Sequence, residues 1–198
     1  MFYSVVVVIV RFIFKIIFRI KVYGKNQNVD MKNGNYIVCG NHSSMFDPIL
    51  VAVTHNNHIR FMAKKELFKN PVFRYVLNKL KAFPIDRKGN PLTAIKKSLR
   101  ILKNNEILGM FPEGTRVKKL EESNAKGGIA VIAVKTKKTV LPVYIDSSYK
   151  FFSKVNIYYG DFIHLNKYYG KKLEPEDYNE ISEDIMDKIY SLKENFDG

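Results

Sequence analysis

Apolar and polar positions along this chain fall into blocks whose spacing predicts alternating strands and helices. Short apolar runs typical of buried strands cover Tyr36–Cys39, Ile59–Ala63, Ala82–Ile85, Ile107–Phe111, Val140–Ile145 and Val155–Tyr159, with Ile20–Tyr23 as a further candidate. Helical spacing covers Pro48–His55, Pro71–Leu80, Pro91–Lys103 and Gly128–Thr136, and Asn90 is placed to cap the third of these. A last amphipathic helix, with no chemistry of its own, is predicted from Glu176 to Phe196. This alternation favours an α/β fold with a mixed, mostly parallel central sheet flanked by helices.

The N-terminal segment from Phe2 to Ile20 is apolar except for four positions that fall within an arc of roughly 80° on a helix: Ser4, Arg11, Lys15 and Arg19. Three cations make crossing a bilayer cost about as much as its apolar residues gain. A helix lying in the interface instead keeps the cations among lipid phosphates while its apolar face enters the acyl layer. We therefore predict a monotopic, cytoplasm-facing amphipathic anchor helix over residues 1–21, followed by one domain over residues 22–198. The alternatives are a helix packed on the protein's own core and a cleaved signal peptide.

Composition and charge narrow the class of protein. Hydrophobic residues make up 46% of the chain and aromatic residues 13%, which excludes a disordered protein. A formal charge of +14 implies an anionic partner, which could be nucleic acid, a phospholipid surface or an acidic carrier with phosphorylated cargo. Cys39 is the only cysteine, so an intrachain disulfide is excluded, and we expect it to be a small buried hydrophobe at a strand end.

One polar string, residues 41–48, carries a possible base and its orienting carboxylate. His42 follows the predicted strand Tyr36–Cys39, so we expect it at the carboxyl edge of the sheet, where α/β folds bind ligands. Asp47 is close enough to accept a hydrogen bond from one imidazole nitrogen, which leaves the other nitrogen free to take a proton. The alternative is that Asp47 merely caps a helix that has Pro48 at its first position.

A second polar string, Phe111–Arg116, follows another predicted strand and supplies a possible anion clamp. Gly114 allows the backbone to approach a ligand, and the Arg116 guanidinium can make paired hydrogen bonds to a phosphate, which lysine cannot reproduce. Taken alone, the string is also compatible with a turn in which Arg116 pairs with Glu113. If the sheet is parallel here, both strings lie on the same rim, and we expect them to form one site.

These residues carry a resemblance to the glycerolipid acyltransferases, specifically the bacterial 1-acylglycerol-3-phosphate acyltransferase family. The family pattern Asn-His-x-Ser-x-x-Asp matches residues 41–47 at every specified position, and Phe-Pro-Glu-Gly-Thr-Arg matches residues 111–116 completely. Two weaker blocks, at residues 82–87 and 140–145, resemble the family's Arg-bearing segment and its proline-bearing strand. The resemblance covers about residues 20–150.

The resemblance implies the glycerolipid acyltransferase fold and a reaction that needs no metal or organic cofactor. An acyl group would pass from acyl-CoA or acyl-carrier protein to the 2-hydroxyl of lysophosphatidic acid, giving phosphatidic acid. His42 would be the general base and Asp47 its orienter, with backbone amides after Asn41 as candidate oxyanion donors. The implied substrate-binding residues are Arg116 and Arg87 for the phosphate, Glu113, Gly114 and Thr115 in the same loop, and Lys65, Lys126 and Gly127 as secondary candidates.

Other functions stay open at this point. An acyltransferase of the same fold could act on glycerol 3-phosphate or on another lysolipid, because the phosphate clamp would be shared. A basic nucleic-acid-binding module is a remote alternative, since the predicted strands do not interleave aromatic residues with arginines. We expect the partners to be a phospholipid membrane surface at the cytoplasmic face of the cell membrane, a lysophospholipid acceptor and a thioester donor, and we expect no nucleic acid.

Overall fold

A mixed, mostly parallel sheet forms the centre of the protein. The computed structural model describes residues 2–24, 35–86, 89–114, 116 and 127–197. Within these ranges the strands are β1 (Arg19–Tyr23), β2 (Ile37–Gly40), β3 (Ile59–Lys64), β4 (Phe83–Ile85), β5 (Ile107–Met110), β6 (Val140–Ser147) and β7 (Lys154–Tyr159). Their order in the sheet is β1-β7-β6-β2-β5-β3-β4, and every neighbouring pair is parallel except β6 with β7. The predicted α/β class with a mixed sheet is confirmed.

Helices cover both faces of this sheet. They are α1 (Phe2–Ile17), α2 (Asp47–Thr54), α3 (Pro71–Lys79), α4 (Pro91–Lys103), α5 (Gly128–Thr136), α6 (Pro175–Tyr190) and α7 (Leu192–Asp197). One core lies under α1 and α2, and the other lies under α4, α5 and α6. The central strand β2 is apolar on both faces because its side chains alternate between these two cores, with Ile37 in one and Val38 in the other. Cys39 is fully buried, as expected.

Most predicted bounds of strands and helices lie within one or two residues of those in the structure, and larger differences occur near the two ends of the chain. The last helix is not continuous to Phe196, because it ends at Tyr190 and a short helix restarts at Leu192. The first helix ends at Ile17 rather than Ile20, because the following residues pair with β7 as strand β1. The predicted division between residues 21 and 22 therefore falls inside β1. By contrast, the predicted cap of α4 is present, with Asn90 Oδ1 accepting from the Leu92 amide at 2.9 Å.

Helix α1 has an inner and an outer face. Val7, Phe14 and Phe18, the last just beyond the helix, are buried, and α1 packs against α2. Arg11, predicted to belong to a basic stripe facing lipid, instead donates from Nε to the Val53 carbonyl at 2.6 Å. The inner face of α1 therefore packs on the protein's own core, which was the alternative to an anchor. Several large apolar side chains of the outer face are exposed: Val8, Phe12, Ile13 and Ile16. Among the helices of the described ranges, none is long and apolar enough to cross a bilayer.

A buried polar cluster under α2 predicts how stability depends on pH. The His55 ring accepts from the Asn57 amide at 3.1 Å and lies 3.0 Å from the Tyr36 hydroxyl, and burial lowers the pKa of His55. His55 therefore takes up a proton near pH 6.5 in the unfolded chain but only at lower pH in the folded chain. As a result, the free energy of unfolding falls as pH drops below 6.5, by at most about 1.4 kcal/mol per pH unit.

Urea unfolding between pH 5 and pH 7.5 measures this dependence. We expect His55→Gln to show a shallower loss of stability at acid pH than the wild type, whereas the exposed His164→Gln should reproduce the wild-type slope. Identical slopes for wild type and His55→Gln would contradict the assignment.

Candidate functional site

The site lies where two adjacent parallel strands end. His42 comes two residues after the end of β2, and Glu113 comes three residues after the end of β5. Helix α2, which follows β2, covers one face of the sheet, whereas α5, the first described helix after β5, covers the other. The chain thus diverges to opposite faces between β2 and β5, which opens a crevice at the carboxyl edge of the sheet. The two polar strings converge there, as expected.

The centre of the site is a hydrogen-bonded pair formed by His42 and Asp47. Imidazole Nδ1 lies 2.9 Å from Asp47 Oδ2, and the same oxygen accepts from the amides of Ser43 and Ser44 at 2.7 Å each. Asp47 is fully buried, whereas the His42 side chain is 12% exposed and lines a cavity. Because Nδ1 is occupied by the carboxylate, Nε2 is the nitrogen left for a substrate proton.

Asp47 does not cap its helix. It is the first residue of α2, and Phe46 occupies the cap position without a capping side-chain bond. The carboxylate instead turns back to bind the loop that precedes the helix, so the helix-cap alternative for Asp47 is wrong. The amides of Ser43 and Ser44 bind Asp47, and the amide of His42 binds Glu113. These three amides are therefore not available as oxyanion donors.

Glu113 joins the two strings. Its Oε2 accepts from the His42 amide at 2.8 Å, and its Oε1 accepts from the Tyr190 hydroxyl at 2.7 Å. Burial raises the pKa of Glu113, although these two hydrogen bonds oppose the shift. The carboxylate is therefore used to hold the His42 loop, rather than to form a turn with Arg116. Tyr190 gives the last long helix a role at the site that the sequence pattern did not reveal.

Tyr149 is a site residue that sequence reasoning missed. It follows β6, and its hydroxyl donates to Asp47 Oδ1, the oxygen that His42 does not use. Burial raises the pKa of Tyr149, and the charge of Asp47 raises it further, so the hydroxyl stays protonated and remains a donor. No local spacing could have found this contact, because the two residues are separated by 102 positions in the chain.

Two aromatic rings fix the plane of the imidazole. Phe111 stacks on His42 with centroids 4.6 Å apart, and Phe61 stacks behind Phe111 at 5.9 Å. Gly109 makes room for this arrangement, since a Cβ there would lie 2.4 Å from the Phe61 ring. Asn41, the residue before His42, is held in place because its side-chain amide makes two hydrogen bonds with the backbone of Ile145. These bonds extend the pairing of β2 with β6.

A mostly apolar cavity of about 510 Å³ opens at His42. This volume is within the range of small-molecule sites. Its charged lining residues among those described are Lys64 and Arg116, and Gly114, with φ of +65°, gives the loop a left-handed turn beside them. Its apolar walls come from α1, α2, β3 and α3, and include Val7, Val10, Phe14, Ile49, Ala52, Val53, Phe61, Met62, Phe73, Val76, Leu77 and Leu80.

Some of the remaining predicted substrate-binding residues line the cavity, whereas others do not or lie outside the described residues. Arg116 is exposed and lines the cavity with His42 and Gly114. Lys65 instead pairs with Asp86 at 3.0 Å, and its neighbour Lys64 reaches the cavity. Gly127 donates its amide to Asn179 Oδ1 on α6 at 3.2 Å and does not line the cavity. Three further candidates lie outside the described residues: Arg87, Thr115 and Lys126. Within the described ranges, no three His, Cys, Asp or Glu side chains gather in a way that could hold a metal ion.

Comparison with known proteins gives sequence matches to acyltransferases. A family model described as Acyltransferase matches residues 19–146. The chain is 37% identical over 123 residues to the 1-acyl-sn-glycerol-3-phosphate acyltransferase of Streptococcus pneumoniae, an alignment covering 61% of this chain and 45% of that protein. It is 39% identical over 124 residues to the Bacillus subtilis protein of the same name, covering 62% and 60%. The chain thus spans about half the length of these relatives.

A solved structure extends the likeness to nearly the whole chain. The 1-acyl-sn-glycerophosphate (LPA) acyltransferase PlsC from Thermotoga maritima superposes with a TM-score of 0.70 at 25% sequence identity. The superposition covers 96% of this chain and 81% of that one. The order and direction of the elements described above are therefore those of a known acyltransferase.

Proposed function

We propose that this chain, which belongs to the acyltransferase family, transfers an acyl group from a thioester to the sn-2 hydroxyl of 1-acylglycerol 3-phosphate and so makes phosphatidic acid. The observation that carries the proposal is the His42–Asp47 pair at the mouth of an apolar cavity beside Arg116. A base, an anion-binding side chain and a space for a hydrocarbon chain are the three features that this reaction needs. The names of the relatives support the choice of substrate class.

The proposed chemistry is a direct transfer between two substrates. His42 Nε2 takes the proton of the acceptor hydroxyl as its oxygen attacks the thioester carbonyl carbon, which forms the new C–O bond. The C–S bond then breaks, and the imidazolium returns its proton to the leaving thiolate. Asp47 stabilises the imidazolium and fixes its orientation, and general-base catalysis of this kind contributes roughly 10² to 10⁴ in rate.

The cavity suits an acyl chain. Each methylene moved from water into such an apolar space gains about 0.8 kcal/mol, so a chain threaded between α1, α2 and α3 would be held firmly. Arg116, with Lys64 beside the same cavity, would bind the phosphate of the acceptor at the open end. Holding both ends of the acceptor places its free hydroxyl next to His42, and that alignment lowers the barrier further.

The charge of the chain is compatible with more than one thioester donor and more than one acceptor, and it does not distinguish between them. The formal charge of +14 suits the phosphates of coenzyme A, an acidic carrier protein and an anionic lipid surface. The outward apolar face of α1 supports docking on a membrane, which we place at its cytoplasmic face. Glycerol 3-phosphate and other lysolipids are the alternative acceptors, because they carry the same phosphate or the same hydroxyl.

Incubation of the purified protein with acyl-CoA or acyl-carrier protein, each with a panel of lysolipids and glycerol 3-phosphate, tests the proposal by mass spectrometry of the products. We expect phosphatidic acid from lysophosphatidic acid with at least one donor. We expect His42→Ala to lower this turnover by at least about 10²-fold, because the base is removed. The exposed His164→Ala should act as the matched control with wild-type turnover. Near-normal turnover in a folded His42→Ala protein would refute the assignment of the base.

Arg116→Lys tests the phosphate clamp. The variant keeps the charge but replaces a two-pronged donor by a point charge, so we expect the KM for lysophosphatidic acid to rise about tenfold with little change in kcat. The exposed Arg100→Lys on α4 is the control and should leave both constants unchanged. The clamp is disproved if Arg116→Lys leaves the acceptor KM at its wild-type value.

A further inference from the structure

Two adjacent phenylalanines project from the loop between β6 and β7. Phe151 is 76% exposed and Phe152 is 61% exposed, and their rings contact each other with centroids 5.7 Å apart. Contiguous exposed apolar surface with a polar rim is typical of a site that contacts a partner or a membrane. The backbone of the loop is also strained, since Tyr149 and Phe152 have φ values of 54° and 59°, which bulky side chains rarely adopt.

This aromatic tip, defined as Phe151 and Phe152, is fastened to the end of α1. The Phe152 amide donates to the Ile17 carbonyl at 2.8 Å, and the Arg19 amide donates to the Ser153 carbonyl at 3.0 Å. The outer apolar face of α1 lies on the same helix, so the tip and the helix present neighbouring apolar surfaces. Their positions are fixed relative to each other by backbone hydrogen bonds rather than by side chains alone.

Exposed cations flank the apolar side chains. Lys150 and Lys154 flank the aromatic tip in the sequence, and Lys15 and Arg19 lie near the end of α1, to which the tip is hydrogen-bonded. An apolar centre with a basic border matches the chemistry of an anionic phospholipid surface, which offers phosphates above an acyl layer. A nucleic-acid duplex would match the cations alone, because its bases are stacked on one another and leave the two phenylalanines without a partner.

We propose that Phe151 and Phe152 insert into an anionic phospholipid surface as a second contact beside α1. The inference rests on the proposed function in one respect: the lipid acceptor of the proposed reaction would lie in the membrane that the tip enters. Insertion would bring the mouth of the cavity close to the bilayer, because Met45 and Phe46 next to His42 are exposed and Phe46 contacts Phe14 and Phe18. A lipid could then pass into the site without crossing bulk water.

Tryptophan fluorescence reads insertion directly, because the chain contains no tryptophan. Phe151→Trp in the full chain introduces a single reporter at the tip. We expect its emission to shift to shorter wavelength on adding phosphatidylcholine vesicles that contain phosphatidylglycerol, and to be quenched by brominated acyl chains. Leu92→Trp is the matched control, since Leu92 is 55% exposed on α4 at the opposite face of the sheet, and its emission should stay unchanged.

Vesicle sedimentation measures the contribution of the tip. We expect Phe151→Ser/Phe152→Ser to bind anionic vesicles at least about tenfold more weakly than the wild type, and Leu92→Ser to bind normally. Lys150→Gln/Lys154→Gln should weaken binding to anionic vesicles without affecting the residual binding to phosphatidylcholine alone. The proposal is overturned if the Phe151→Trp emission does not shift, or if the double serine variant binds as the wild type does.

Two further readouts separate this proposal from its alternatives. The serine variant should turn over a short-chain, monodisperse acceptor at the wild-type rate, because the tip does not line the cavity. A dimeric wild type that becomes monomeric in the serine variant, with vesicle binding unchanged, would show a self-contact and overturn the membrane assignment. A wild type that inserts the tip but acylates no lysolipid would refute the proposed function and leave this inference standing.

A separate contact carries a second inference. The Tyr149 hydroxyl donates to the Asp47 oxygen that His42 leaves free, and its ring packs against Phe18 and Phe46 with centroids 6.0 and 5.8 Å away. Tyr149 therefore restrains the carboxylate from the side opposite to the imidazole. We infer that Tyr149 is a positioning residue, which acts on the proposed acyl transfer by fixing Asp47 and, through it, His42.

Steady-state kinetics of Tyr149→Phe test this role. The variant keeps the ring and removes only the hydroxyl, so we expect kcat to fall about tenfold while the KM values of donor and acceptor stay unchanged. Tyr159→Phe is the matched control, because it also loses one hydrogen bond, between the hydroxyls of Tyr159 and Thr54, and should keep the wild-type kcat. An unchanged kcat, or a change confined to KM, overturns the inference, whereas a wild type without transferase activity refutes the proposed function itself.

Discussion

The burial of one carboxylate determines the organisation of the site. Asp47 has no exposed surface, and an ionised group in such a place is tolerated only when donors surround it. Four donors do so: the imidazole of His42, the amides of Ser43 and Ser44, and the hydroxyl of Tyr149. Satisfying this charge forces the loop after β2 to close on itself, and the closed loop gives the imidazole one orientation.

The sheet topology then brings a second carboxylate to the same loop. Because β2 and β5 are adjacent and parallel, the residues that follow them meet at one edge, and Glu113 can hold the His42 backbone from the β5 side. Tyr190 of α6 holds Glu113 in turn, so elements from both faces of the sheet contribute to one position. A loop restrained by two carboxylates would need little reorganisation during the proposed proton transfer, which favours general-base catalysis.

Helix α1 links the site to the surface of the molecule. Its inner face supplies Val7, Val10 and Phe14 to the cavity wall, and its outer face exposes apolar side chains beside the aromatic tip. The sequence pattern predicted an anchor separate from the folded domain, yet the inner face of this helix packs on the domain while its outer face is exposed. A hydrophobic pattern covering most of the circumference of a helix allows this, because the pattern does not specify which apolar face meets protein and which meets another partner.

Most secondary-structure elements and the local part of the site were predictable from the amino-acid sequence. Strands, most helix bounds and the pairing of His42 with Asp47 depend on residues near each other in the chain, where periodicity and loop geometry are sufficient. Contacts between distant parts of the chain were not predictable in this way. Glu113 binds the amide of a residue 71 positions away, Tyr149 binds Asp47 across 102 positions, and Lys64 rather than Lys65 lines the cavity. These contacts depend on strand order and on the direction in which each side chain leaves its element, and a linear pattern of polar and apolar residues specifies neither.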